Sequence, residues 1–472
     1  MKDLIVKNTF LTGIALLLTG LTRIVYNIVV GKDFGADVLG QMNLALSFAM
    51  LCSLVISTIV ENSATKYLSE FSAKGDIANC NLTFTMLLKW TIVGSIALVF
   101  AIILLCDPIA RTLQVDLAVL MFGLPLIILI ATHNFYRGCF YGFNKVVRYF
   151  KFETISSLLF FIVLGVILLH GEGNLLLPFI LFYGLFTFLG AISLHKHTYS
   201  SKAPFLFRKE IGIYGLIAMI GTVSSTAKAH VANLFTGGYL SPEQVGYYSA
   251  AVSITTVLLF APSIMGRVLL PSVSHAYGAG DTAVVKTLLN KATDTLSVIA
   301  LFLCGISIIL SEEILVLLFT PDFAAASFSL QMLILGICLS TITVPAVSAL
   351  SGTEYVKIPN VAGVLGLVVS LILWPFLIPG FGINGTAIGY IIGVFVTAII
   401  PLYYAQRIYG LDLHSIARVF LVVSGLLIAV LLLETLIPFE YSRWAVSGVF
   451  ALLFLAFFKD KIRDLWISVR IY

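Results

Sequence analysis

The stretch Ile358–Gln406 reads IPNVAGVLGLVVSLILWPFLIPGFGINGTAIGYIIGVFVTAIIPLYYAQ, 49 residues without an Asp, Glu, Lys or Arg. A membrane crossing takes about 20 apolar residues, so this run is too long for one helix and long enough for two. Pro379-Gly380-Phe381-Gly382 stands in its middle, where a turn is needed. The stretch therefore predicts two spans, 358–378 and 383–405, and sets the fold class as helices packed in lipid.

The rest of the chain agrees. Hydrophobic residues make up 60% and charged residues 11%, against about 45–50% and about 25% in soluble domains. The mean hydropathy of +1.06 holds over the whole length, which excludes a soluble enzyme on a membrane anchor. Charge-free runs place the other spans at 8–30, 39–62, 83–106, 117–140, 150–169, 175–195, 211–235, 245–270, 292–311, 328–350, 416–436 and 442–458. With the first pair this predicts an all-α polytopic protein of fourteen transmembrane helices. The segment from Lys2 to Arg23 has the charge pattern of a signal peptide but no small-residue cleavage site, and is expected to stay as the first helix.

Positively charged loops test this map, because alternate loops must differ in Lys and Arg. Twenty-one fall on the side of the termini and three (Lys32, Arg111, Arg443) on the other. Both termini are expected in the cytoplasm, with the protein in the inner membrane. The net charge of +5 thus reports topology, not nucleic-acid binding. Cys52, Cys80, Cys106, Cys139, Cys304 and Cys338 are scattered and read as small apolar residues. No metal or other cofactor is expected.

A repeat recurs at a spacing near 206 residues. Gly31–Asp76, with Gly40, Ala45, Ser47 and a closing Gly75-Asp76, runs alongside Gly237–Asp281, with Gly246, Ala251, Ser253 and a closing Gly280-Asp281. Gly171-Glu172-Gly173 similarly matches Gly380-Phe381-Gly382. Two halves of six helices follow, 1–207 and 208–410, with two more helices and a tail in 411–472. Six being even, both halves enter from the same side, and a cargo site is expected between them.

With this layout, the stretch Val38-Leu39-Gly40-Gln41-Met42 and its counterpart Gln244-Val245-Gly246-Tyr247-Tyr248-Ser249-Ala250-Ala251 resemble the polysaccharide flippases of the multidrug/oligosaccharidyl-lipid/polysaccharide (MOP) exporter superfamily. The resemblance implies two lobes that open alternately inward and outward. It implies as cargo an undecaprenyl-pyrophosphate-linked oligosaccharide, as in O-antigen synthesis, and as partners the bilayer and the glycosyltransferases and polymerase of the same pathway.

Charge at membrane depth costs at least about 2.5–3.5 kcal/mol per residue, so each instance asks for a partner, a cavity or a task. Five stand out: Arg23, Glu61, Lys89, Lys228 and Arg267. Arg23, with Asn27 one turn on, and Lys228, with His230 nearby, are at similar depth. A guanidinium and an ammonium facing one cavity suit a pyrophosphate. The substrate-binding set is therefore Arg23, Asn27, Lys228, His230 and Arg267. Snorkelling of Arg23 to the headgroups is the plainer alternative. Glu61 and Arg267 occupy equivalent repeat positions and are expected to pair as a gate when the inner mouth closes and to part when it opens, unless Glu61 pairs with Lys66 or both residues reach interfacial water. Arg137, Lys145, Arg148 and Lys151 read as a topology-setting cluster that also attracts anionic headgroups.

An enzyme of lipid-linked glycan metabolism would carry a large outer loop with catalytic charges, and every outer loop here is short. A cation-coupled drug exporter would favour carboxylates at depth over four cations and Glu61. A lipid II flippase stays open, since it too moves a diphosphate.

Overall fold

Gly382 interrupts the helix Lys357–Tyr409 (α14), its backbone leaving the helical region at φ 59°, ψ −139°. The structure is a computed structural model that describes residues 2–171, 173–198 and 209–436, with isolated positions between 444 and 454. Unbroken, 53 residues would extend about 80 Å at about 1.5 Å each, far beyond a hydrocarbon core of about 30 Å. The break makes two passes of it, as the Pro-Gly-Phe-Gly turn requires. Three glycines form the seam between the passes. Gly385 lies on the carbonyl of Leu377, a Cβ at Gly389 would come within 2.6 Å of the Trp374 ring, and Gly393 rests on Ser370. Two hydrogen bonds close the seam: Trp374 Nε1 donates to Thr386 O and Ser370 Oγ to Gly389 O, both at 3.0 Å.

The described chain is helical throughout. In order it runs α1 (Lys2–Asp33), α2 (Gly35–Ala73), α3 (Ile77–Leu104), short α4 (Cys106–Leu113), α5 (Leu117–Gly142), α6 (Val146–His170), α7 (Leu177–Leu194), α8 (Lys209–Tyr239), α9 (Pro242–Leu258), α10 (Phe260–Gly278), α11 (Thr282–Ile309), short α12 (Ser311–Leu318), α13 (Ser327–Ser351), α14 and α15 (Leu413–Leu436). Among the described residues nine helices are long and apolar enough to cross a membrane. The expected last span, 442–458, lies largely outside the described residues.

One expected span is corrected. Residues 245–270 do not form a single straight helix: α9 and α10 meet at a bend of 44°. Pro262 stands in the first turn after the break, where its missing N–H interrupts the ladder. Two helices also run past their apolar cores, α2 to Ala73 and α11 back to Thr282, so Lys66, Lys286 and Lys291 sit on helices rather than in loops. The repeat explains the ends. Gly75 and Gly280 take the left-handed conformation, at φ 68° and 76°. Asp76 and Asp281 then cap the next helix, accepting the Asn79 and Val284 N–H groups at 3.0 Å.

Packing divides the chain into two compact units, Met1–Ser249 and Ala250–Tyr472. In the first, α2 packs on α5 and α8, and α1 on α6. In the second, α13 packs on α11 and α14, and α15 on α11. The division falls beyond the repeat boundary expected at 207/208 because α8 is seated on α2. A reciprocal contact extends this seating to the start of α9: Gly40 lies on the carbonyl of Pro242, and Gly246 on the carbonyl of Ala36. Ala36 and Pro242, like Gly40 and Gly246, are equivalent at the spacing of 206, so the repeat packs matching positions against one another, as a two-fold contact does. No Cβ fits at either glycine.

Candidate functional site

Thr19, Arg23 and Asn27 follow at four-residue steps along one face of α1. Arg23 is half-buried, its Nη1 3.4 Å from Met50 Sδ on α2. Asn27 is buried and accepts from Asn43 Nδ2 at 3.1 Å. Lys228 and His230 are buried on α8, and His230 Nδ1 has no hydrogen-bond partner among the described residues. One turn on from His230, Asn233, the repeat equivalent of Asn27, donates to Ser47 Oγ at 3.0 Å. Both asparagines thus tie a first-of-repeat helix to α2. Arg23, Asn27, Lys228 and His230 all belong to the first unit, whereas Arg267 is exposed on α10 in the second.

Glu61 has a different partner from either expected. Both its oxygens are engaged by Arg137 on α5, Nε to Oε1 and Nη2 to Oε2, each at 2.7 Å. This bidentate fork makes two parallel charge-assisted bonds, each stronger than a neutral hydrogen bond. It forms because α2 and α5 approach closely at Gly138, where a Cβ would lie 2.6 Å from the Glu61 carbonyl oxygen. Arg137 is therefore more than part of a topology cluster. Lys66 faces aromatic rings instead, its Nζ 3.9 Å from the Tyr214 ring centroid. The Glu61 carboxylate is thus committed within its own unit, whereas Arg267, expected as its gate partner, belongs to the second.

Glu61 is also not the only carboxylate at depth. Glu153 on α6 is 1% exposed and pairs with His133 on α5, 2% exposed, Oε2 to Nε2 at 3.1 Å. Thr19 Oγ1 lies 2.5 Å from the other oxygen. Phe182, Tyr183 and Phe186 of α7 surround the imidazole, the Phe186 ring centroid at 4.2 Å. The reading of the spans passed over this pair, although its signal was present. Glu153 and His133 are polar groups inside predicted spans 150–169 and 117–140, one turn from the start of the first and two turns from the end of the second. Nothing in the spacing joins them, because they meet only when α5 packs on α6.

At the α5–α6 turn the cationic cluster gains Lys196. Burial first, then the charges of Arg148 and Lys196, hold the Lys145 ammonium below its usual range. Its Nζ stands 5.1 Å from the Phe143 ring centroid. Among the described residues no three His, Cys, Asp or Glu side chains converge as metal ligands would.

A family model described as "Polysaccharide biosynthesis protein" matches residues 5–276, and a second, MatE, matches residues 218–376. An uncharacterized membrane protein of Methanocaldococcus jannaschii is 23% identical over 258 residues, 54% of this chain and 51% of its own length. The chain thus spans about half of that relative. Among solved structures, the fold is similar to the lipid II flippase MurJ in an inward closed conformation, with TM-score 0.74 at 16% identity, covering 95% of this chain and 99% of the other. It is also similar to an inward-facing multidrug resistance MATE family transporter of the MOP superfamily, with TM-score 0.69 at 15% identity, covering 83% and 94%. A MOP superfamily transporter from Pyrococcus furiosus matches with TM-score 0.63 at 15% identity, covering 87% and 96%.

Proposed function

The chain belongs to the polysaccharide biosynthesis protein family, and from that premise we propose that it is a flippase carrying an undecaprenyl-pyrophosphate-linked oligosaccharide from the cytoplasmic to the outer leaflet. Its fold is that of MOP superfamily transporters, and the reading takes alternating access as the mechanism. The observation that carries the cargo class is the set of cations withdrawn into a membrane helix bundle. Lys228 and His230 are buried and Arg23 is half-buried within one unit of the protein. A diphosphate entering a low-dielectric site loses hydration, and a guanidinium with an ammonium replaces it by charge-assisted hydrogen bonds. Asn27 orients α1 against α2. Glu61 and Arg137 neutralise one another and leave the excess positive. In this reading the termini are cytoplasmic, the membrane is the inner one, and the pathway's glycosyltransferases and polymerase work alongside.

A lipid II flippase is the second reading, supported by the fold likeness and by the diphosphate common to both cargoes. One experiment separates them. In a strain lacking the gene, lipid-linked glycan is expected to accumulate on the inner leaflet while lipid II is not, and Arg23→Ala and Lys228→Ala are each expected to restore less than a tenth of the wild-type export rate. Accumulation of lipid II instead would move the assignment to the second reading. Full rescue by both alanine variants would remove the anion site.

A further inference from the structure

Ile56, Ile59 and Val60 of α2, Trp90 of α3, and Gly212 and Leu216 of α8 line a cavity of about 160 Å³ within the first unit. On α2 and on α8 the lining residues follow at steps of three or four, so one face of each helix bounds it. The close approach of the two helices beside it, at Gly215, where a Cβ would lie 2.6 Å from the Ile59 side chain, holds its walls in place. The lining is apolar, and an apolar space of about 150 Å³ stays dry and takes up a benzene-sized guest. It is open on its flank, where Leu216 is exposed, so in a membrane its filling is hydrocarbon.

The same two faces continue to a polar end. Lys66 lies seven residues beyond Ile59 on α2, two turns or about 10 Å along the axis. Its Nζ stands 3.9 Å from the Tyr214 ring centroid and 4.9 Å from that of Tyr67, and the two rings meet edge to face at 5.8 Å. Glu210 stands one turn before Tyr214 on α8, and its backbone carbonyl accepts the Tyr67 hydroxyl at 3.4 Å. Lys66 and Glu210 are both exposed, and among the described residues neither forms an ion pair. Glu70, the neighbouring carboxylate on α2, is already answered by Lys74 at 2.6 Å. A cation and a carboxylate thus flank a pair of tyrosines at the end of an apolar crevice.

We propose that this is a binding site for a phospholipid whose headgroup joins a phosphate to a primary ammonium. One acyl chain enters the cavity beside Trp90, the phosphate accepts from the Lys66 ammonium, and the headgroup ammonium donates to the Glu210 carboxylate. Charge complementarity selects the headgroup. An anionic headgroup without an ammonium leaves Glu210 facing like charge, and a quaternary ammonium has no N–H to give it. The tyrosines suit the same boundary, with an apolar ring and a polar tip. The site lies on the contact of α8 with α2 and α3 and asks nothing of the cargo, so it stands apart from the proposed function.

Trp90 is the reporter. Its fluorescence in proteoliposomes, taken as the difference between the wild-type protein and Trp90→Phe, is expected to be quenched by lipids brominated on the acyl chain. At equal bromine content, phosphatidylethanolamine should occupy the site about threefold better than phosphatidylglycerol or phosphatidylcholine, the scale of one exposed charge pair. Glu210→Gln should abolish that preference and Glu210→Asp should keep it, while Lys66→Gln should weaken quenching by all three headgroups. Ile56→Phe, which narrows the cavity, should reduce quenching whatever the headgroup. Equal quenching by the three lipids in folded wild-type protein overturns the proposal, as does a preference that survives Glu210→Gln. A preference for phosphatidylglycerol also overturns it, by assigning the site to an anionic lipid read by Lys66 alone. Quenching by none of the lipids, or quenching unchanged in Ile56→Phe, would remove the acyl chain from the cavity and the proposal with it.

Discussion

Replacing Arg137 by Met removes both donors that hold Glu61 while keeping an unbranched chain of similar length against α2. Each bond to a charged group contributes about 1.5–3 kcal/mol when protected from water. The two side chains are 24% and 22% exposed, which places the pair between a surface bridge worth about 0–1 kcal/mol and a buried one whose breaking costs about 3–5 kcal/mol. We expect about 2 kcal/mol for Arg137→Met and about the same for Glu61→Gln. For a unit of this size that corresponds to a fall in Tm of about 4–8 °C. The double variant should lose little more than either single one, giving a coupling energy of about 2 kcal/mol in a double-mutant cycle followed by thermal unfolding in detergent. The exchange Glu61→Arg with Arg137→Glu should recover most of the loss, and Glu61→Arg with Arg267→Glu none. A coupling below about 0.5 kcal/mol would refute the reasoning from bidentate geometry. Recovery by the Arg267 exchange instead would restore the gate pairing that the sequence suggests.

The reciprocal glycines give a second expectation: Gly40→Ala and Gly246→Ala should each destabilise by about 1–3 kcal/mol through overpacking, and the double variant by less than the sum, since either one already parts the contact. Thermal unfolding of the three variants checks this. Asp76→Ala and Asp281→Ala should each cost about 1 kcal/mol as lost helix caps, with faster amide exchange confined to the first turns of α3 and α11 respectively. For topology, a cysteine introduced at Lys196 in a variant lacking the native cysteines should be blocked by an impermeant thiol reagent only after the membrane is opened. One at Arg111 should be blocked in intact cells, and the reverse pattern would invert the orientation.

Much of the architecture was legible because lipid imposes one rule on the backbone: with no water to satisfy N–H and C=O groups, an apolar run must be a helix. Ile358–Gln406 accordingly yields its two spans and its turn, and Gly75-Asp76 and Gly280-Asp281 mark where helices stop and start because glycine's open φ range and aspartate's acceptor are local properties. Legible too were Arg23, Lys228 and Glu61 as charges needing an explanation. The bend between α9 and α10 was less so, since a proline in a span is compatible with a straight crossing or a broken one.

Partners are another matter. Glu61 and Arg137 are 76 residues apart, Glu153 and Thr19 134 apart, and Gly40 and Pro242 further still. Hydropathy says that a helix is buried, and says nothing of its rotation about its own axis or of which neighbour it meets. Those are settled by the close approach of small residues at α2–α5 and α2–α9, where van der Waals contact between backbones selects one arrangement out of many equally apolar ones. Thus the sequence by itself determined the class, the spans and the expected sidedness, each of which depends on residues close together in the chain. Only the packed bundle decided which buried charge answers which, because an ion pair depends on distances of a few ångströms between helices that sequence order leaves free.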